Sequence, residues 1–203
     1  MRFHILGLPH TITNPDYNSC AYTQKVRKFA KMLGDRHEII HYGHPDSDVP
    51  GASESVEVIS RKTFSEVYGD HDFHSKFYTF DLGDAAYQEF FARAILEIGE
   101  RKKPDDFLLA FWGHGHRPIC DAHPDMVVVE PGIGYAGGHF APYKIFESYS
   151  LYHAYLGLGK VGVCDPDWRE VVVPNYFDLS EFEYKAEKDD YLLFLGRVFD
   201  GKG

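Results

Sequence analysis

Two rhythms of apolar residues run along this chain: short unbroken apolar runs, and longer stretches with apolar positions three and four apart. Residues 3–8 form an apolar run ended by Pro9, which predicts a first strand. Residues 9–19 carry Thr, Asn, Pro and Asp, the residues of turns. With Asn18 or Ser19 as its cap, a helix is expected to follow, because Ala21, Val26, Phe29, Ala30 and Leu33 fall at helical spacing. Gly34 ends it. Residues 37–42 read as a second strand and 43–48 as its exit loop. Strand, helix and strand in about 40 residues make a βαβ unit, and that implies a parallel sheet.

The pattern continues. Val56, Val58 and Ile59 mark a third strand within residues 55–60, whereas residues 61–82 show neither period clearly. Asp84 is placed to cap a helix over 85–101, with Tyr87, Phe90, Phe91, Ala94, Ile95 and Ile98 on one face. Lys102, Lys103 and Pro104 close it, the cations lying at the negative end of the helix dipole. Residues 106–112 are apolar without alternation, as suits a central parallel strand covered on both faces. Residues 126–130 predict a fifth strand, 143–155 a helix and 170–174 a sixth strand. The expected fold is α/β, a Rossmann-like three-layer parallel sheet.

Composition narrows the function. The net charge of −10 disfavours a general nucleic-acid binder, since a phosphate backbone attracts basic surfaces. A nucleotide-sugar needs only a few local cations and is not disfavoured. Tyr and Phe, at 14 and 16 residues, suit both a core and a sugar-binding surface. Cys20, Cys120 and Cys164 are widely spaced and odd in number, so a reducing, cytoplasmic compartment is expected. The apolar run at the N-terminus is too short for a signal peptide or a membrane span.

In an open α/β sheet ligands bind beyond the carboxyl ends of the strands, which ranks the candidate chemistry. After the fourth strand comes Trp112-Gly-His114-Gly-His116-Arg117, whose imidazoles can move protons and whose glycines let backbone approach a ligand. Its alternative readings are a solvated turn and a zinc site built from His114, His116, Cys120 and His123. That spacing matches no closed structural zinc pattern. After the fifth strand, Glu130 precedes Gly132, Gly134 and Tyr135 in a glycine-rich loop. The carboxylate suits a base or a sugar-hydroxyl ligand, and the glycines suit turn geometry equally well. After the first strand, Gly7 and His10 border a loop stiffened by Pro9. Glu147 reads as a solvated helix residue.

The end of the chain reads as a beginning. Residues 191–195 predict a buried strand, a glycine turn follows, and Arg197 and Lys202 stand five residues apart. The segment 196–203, Gly-Arg-Val-Phe-Asp-Gly-Lys-Gly, resembles the GR-x4-KG opening of the donor domain of GT-B glycosyltransferases. Residues 171–178, Val-Val-Val-Pro-Asn-Tyr-Phe-Asp, resemble the strand and turn that close the N-terminal domain of the same enzymes, with Tyr176 and Phe177 replacing the usual glycine. The resemblance, to the group 1-like members, implies the N-terminal half of a GT-B architecture. Residues 1–180 would form the acceptor-side domain and 181–190 the core of an acidic linker. Residues 191–203 would start a nucleotide-sugar domain, so the chain reads as cut at that point.

The function implied is transfer of a sugar from a nucleotide-sugar to an acceptor hydroxyl on a carbohydrate or lipid-carbohydrate, the isolated chain being inactive. His114, His116 and Glu130 are then the expected catalytic residues. Arg197 and Lys202 would hold the donor diphosphate, and Gly7, His10, Gly132, Gly134 and Tyr135 would line the acceptor loops. No metal or cofactor is expected, since two cations can neutralise the leaving diphosphate. The alternatives are a stand-alone Rossmann-like module binding a carbohydrate or small ligand, and a metal-dependent hydrolase using His114, His116 and His123.

Overall fold

The computed structural model describes residues 1–135, 139–159 and 167–193. Arg197, Lys202, Cys164 and residues 194–195 lie outside them. The described part of the expected last strand, Tyr191 to Leu193, is exposed and pairs with no strand among the described residues, so the apolar run there is not a buried strand. The fold is α/β and Rossmann-like. Strands β1 (Arg2–Leu6), β2 (Glu38–Gly43), β3 (Glu54–Glu57), β4 (Phe107–Leu109), β5 (Val127–Ile133), β6 (Tyr143–Phe146) and β7 (Glu170–Val172) form one seven-stranded sheet, ordered β3-β2-β1-β4-β5-β6-β7. Every neighbouring pair is parallel. The helices are α1 (Ala21–Leu33), α2 (Arg61–Tyr68), α3 (Ala85–Arg101), α4 (Arg117–Asp121) and α5 (Tyr149–Gly159).

Successive strand residues face opposite sides of the sheet, and each side has its own core. On one side Leu6, Ile40, Leu108 and Val128 pack with Phe64 and Tyr68 of α2 and with Phe90, Ala94 and Ile98 of α3. On the other, Ile5, Ile39 and Leu109 pack with Val26 and Ala30 of α1. The central strands are covered on both faces, which is why their sequences do not alternate. Each large side chain fully withdrawn from water contributes about 1.5–3 kcal/mol. His4 is the fully buried polar residue of β1. Its Nε2–H donates to Asp106 Oδ2 at 3.0 Å, and its Nδ1 accepts from the Tyr42 hydroxyl at 2.7 Å. Desolvation outweighs the Asp106 carboxylate and lowers its pKa.

Two further expectations need correction, and the stretch that showed neither period is resolved. Residues 143–155 are not one helix: Tyr-Lys-Ile-Phe pairs as β6 between β5 and β7, and only from Tyr149 does the chain turn helical. Four residues of strand are too few to break the longer apolar rhythm around them. Helix α1 is capped at Cys20, with no side-chain hydrogen bond, rather than at Asn18 or Ser19. The mixed stretch contains α2, whose Ser60 hydroxyl accepts from the Thr63 amide, followed by irregular chain across residues 69–83.

Asp84 fills the capping position read for it and does more. Its carboxylate accepts from the Tyr87 amide at 2.8 Å, the Tyr68 hydroxyl at 3.0 Å and the Asp81 amide at 3.2 Å. Asp84→Ala removes the cap and strands the buried Tyr68 hydroxyl. The expected loss is about 2–4 kcal/mol, seen as a lower urea midpoint with an unchanged far-UV spectrum.

Candidate functional site

The strand order reverses direction between β1 and β4. The chain leaves β1 for β2 on one side and leaves β4 for β5 on the other, so the two exit loops diverge and open a crevice. His116 holds the loops together. Its Nε2 lies 2.9 Å from the Gly7 carbonyl, and its Nδ1 lies 3.2 Å from the Trp112 amide nitrogen. An amide only donates, so Nδ1 accepts and Nε2 carries the proton given to Gly7. The ring is 0% exposed, and burial pushes its pKa down to about 3. Expected as a base, His116 has no free nitrogen and acts as a latch.

Trp112 begins a second chain of bonds. Its indole N–H donates to the Tyr87 hydroxyl at 2.9 Å, and that hydroxyl lies 2.9 Å from His10 Nδ1. That hydroxyl is buried and has His10 Nδ1 as its one acceptor among the described residues, so its proton goes to Nδ1 and the His10 proton sits on Nε2. Phe80 stacks on His10 with centroids 4.1 Å apart and planes 13° from parallel. Tyr22, from the first turn of α1, meets Trp112 edge-on at 5.1 Å. Tyr22, Phe80 and Trp112, together with Leu82, His114, Gly115 and Tyr135, wall a cleft of about 300 Å³, with His10 and Tyr87 behind them. His114 is exposed there, unlike the other expected bases.

Glu130 is also fully buried. Its carboxylate accepts from the Tyr135 hydroxyl and from the amides of Phe140 and Ala141, each at 2.9 Å. It anchors the two ends of the loop after β5 instead of facing the cleft. Burial, reinforced by Glu130, raises the Tyr135 pKa, so that hydroxyl stays neutral. Gly132, at φ +71°, offers its carbonyl to Lys25 Nζ at 2.9 Å. A side chain at Gly134 would strike the Glu147 carboxylate, which pairs with Lys25. Glu147 thus lies on no helix and is not simply solvated. Burial pulls the Lys25 pKa down to about 8.

The glycines of the His-rich turn serve the protein itself. Gly113 adopts φ +52°, and the Tyr135 hydroxyl fills the space a Cβ would need. Trp112 folds over Gly115 in the same way. The loops carrying Gly7 and His10, His114 and His116, and Gly132 to Tyr135 lie side by side, and the close approach their glycines allow is to protein side chains. Tyr22, Phe80, Tyr87 and Trp112 complete the site from four separate segments. Trp112 opens the Gly-His turn already read as a candidate and Tyr87 lies on the apolar face of α3, whereas Tyr22 and Phe80 gave no signal beyond high aromatic content. The zinc spacing does not close: Cys120 is buried, His123 lies 3.3 Å from Lys102 Nζ, and no three ligands converge among the described residues.

Two outcomes follow from these buried groups. Burial holds His10 at about 4 and His41 and His116 at about 3. The unfolded imidazoles, near 6.5, bind protons that the folded ones refuse. The stability they support is complete above pH 6.5 and is lost as pH falls toward 4. Each imidazole costs about 2 kcal/mol of stability at pH 5, measurable as urea midpoints between pH 7.5 and 5. Glu130→Gln turns an amide NH2 toward groups that themselves donate. A loss of about 2–3 kcal/mol is expected, read as a lower urea midpoint.

The chain matches no family model, no curated protein and no solved structure, so the chemistry of the cleft rests on its own side chains.

Proposed function

We propose that the chain supplies the acceptor-side domain of a GT-B-type glycosyltransferase and that the crevice between the β1 and β4 loops binds the acceptor. The observation that carries this reading is an aromatic cleft with one solvent-facing imidazole, His114, at the switch point of a parallel sheet. Flat rings suit the apolar face of a sugar, and a few polar groups orient it. The motif resemblances at 171–178 and 196–203 support it independently.

In an inverting version of this reaction, His114 takes the proton from the acceptor hydroxyl as its oxygen bonds to the anomeric carbon. The bond from that carbon to the diphosphate breaks, and the nucleoside diphosphate leaves with the electron pair. Arg197 and Lys202 neutralise the charge that gathers on it. His116, Tyr87 and Glu130 position the loops. A second reading, a binding module without chemistry, is favoured by the structural engagement of His116 and Glu130, which leaves His114 as the single free base candidate.

The test is sugar transfer from a panel of nucleotide-sugars to simple glycoside acceptors. It is run on this chain and, where its gene continues, on the continued product. Transfer that drops about 100-fold in His114→Ala with little change in acceptor affinity supports the proposal. Acceptor binding without transfer in either form supports the binding module. Absence of both overturns the two readings together.

A further inference from the structure

Beside the cleft lies a second cavity, of about 260 Å³, which shares Tyr22, Phe80 and Trp112 with it. We propose that this cavity is a separate subsite for a planar aromatic group bearing a hydrogen-bond acceptor, such as a phenolic or nitro oxygen. The subsite follows from its own walls. Only the assignment of that aromatic group to a sugar acceptor rests on the glycosyltransferase reading.

His10 is the polar group of the site. It is only 6% exposed, and it lines the cavity. The bonds from Trp112 to Tyr87 and from Tyr87 to His10 leave its proton on Nε2. Among the described residues nothing accepts that proton. A fixed donor therefore faces a space walled mostly by rings. The Ser19 hydroxyl lines the same space and is buried without a partner.

The ring geometry selects a flat ligand. Trp112 lies 5.2 Å from His10 at 59°, and Phe80 meets Trp112 at 5.5 Å and 71°. Phe80 already stacks on His10 at a 13° tilt, so this box holds one aromatic ring and presents the edges and faces of others. Phe80 belongs to the irregular chain between α2 and α3 and is 39% exposed, so an entering ring meets it first. The volume is ample, since an apolar cavity of about 150 Å³ holds benzene. A sugar lays one apolar face on a ring, as in the neighbouring cleft, whereas here rings stand on several sides and its edge hydroxyls would meet aromatic carbon.

The test is calorimetric titration with 4-nitrophenol, 4-nitrophenyl β-glucoside and methyl β-glucoside. Trp112 fluorescence is read in a Trp168→Phe background, which leaves it the single tryptophan of two. The aryl ligands are expected to quench Trp112, and the nitrophenyl glucoside to bind at least tenfold tighter than the methyl glucoside. His10→Phe keeps a ring and removes the donor, and 4-nitrophenol affinity is expected to fall about tenfold. Phe80→Leu, at a position 39% exposed, is expected to lower it at least threefold. The proposal is overturned if 4-nitrophenol does not bind, if the two glucosides bind equally, or if both variants bind as the parent does. Aryl binding by this chain, with no sugar transfer by the product of its continued gene, keeps the subsite and overturns the glycosyltransferase reading. Transfer without aryl preference does the reverse.

Discussion

One neutral imidazole, that of His116, sets the geometry on which the site depends. At the ends of β1 and β4 the backbone runs out of sheet partners, leaving the Gly7 carbonyl and the Trp112 amide to be satisfied elsewhere. A neutral histidine carries a donor and an acceptor at separate points of one rigid ring, so it bridges such a pair at fixed spacing. A buried group left unpaired would cost about 1–3 kcal/mol, and here two are answered by one side chain. The ring lies parallel to Phe90 of α3, tilted by 6°, so the latch is also seated on the core. With Trp112 fixed, its indole reaches Tyr87, and the aromatic walls follow.

Much of the fold was legible because its strongest signals are local. The helix over residues 85–101 begins and ends where its cap and cations place it, and its apolar face is the face that is buried. The unalternating strands lie at the centre of the sheet. The legible signal failed where an element was short. β6 spans four residues beside a helix rich in aromatics, and the two merged into one apparent period. α2 spans eight residues with modest apolar content, below what periodicity resolves.

The location of the site was legible for a different reason. Loops after parallel strands gather at one edge of the sheet whatever their sequence. Roles within those loops were not legible. His114 and His116 are two residues apart in a Gly-His-Gly-His turn, and the turn alone decides which enters the core and which meets solvent. Glu130 stands at a strand end, where a carboxylate can face a ligand or return to its own loop, and it returns. The aromatic walls come from segments far apart in the chain, so no one motif announced them all.

Helix α1 joins two regions that the sheet does not connect. Tyr22 at its start is a wall of the cleft, while Lys25 reaches Gly132 and Glu147 beside it. Further along, the Tyr176 hydroxyl donates to the Lys25 carbonyl at 2.9 Å, and Lys31 bridges Asp178 and Glu181. Residues 176–181 therefore grip the same rod that frames the cleft. The segment after β7 and the wall of the crevice thus share one support, and α1 is the element that both would lose if it were displaced.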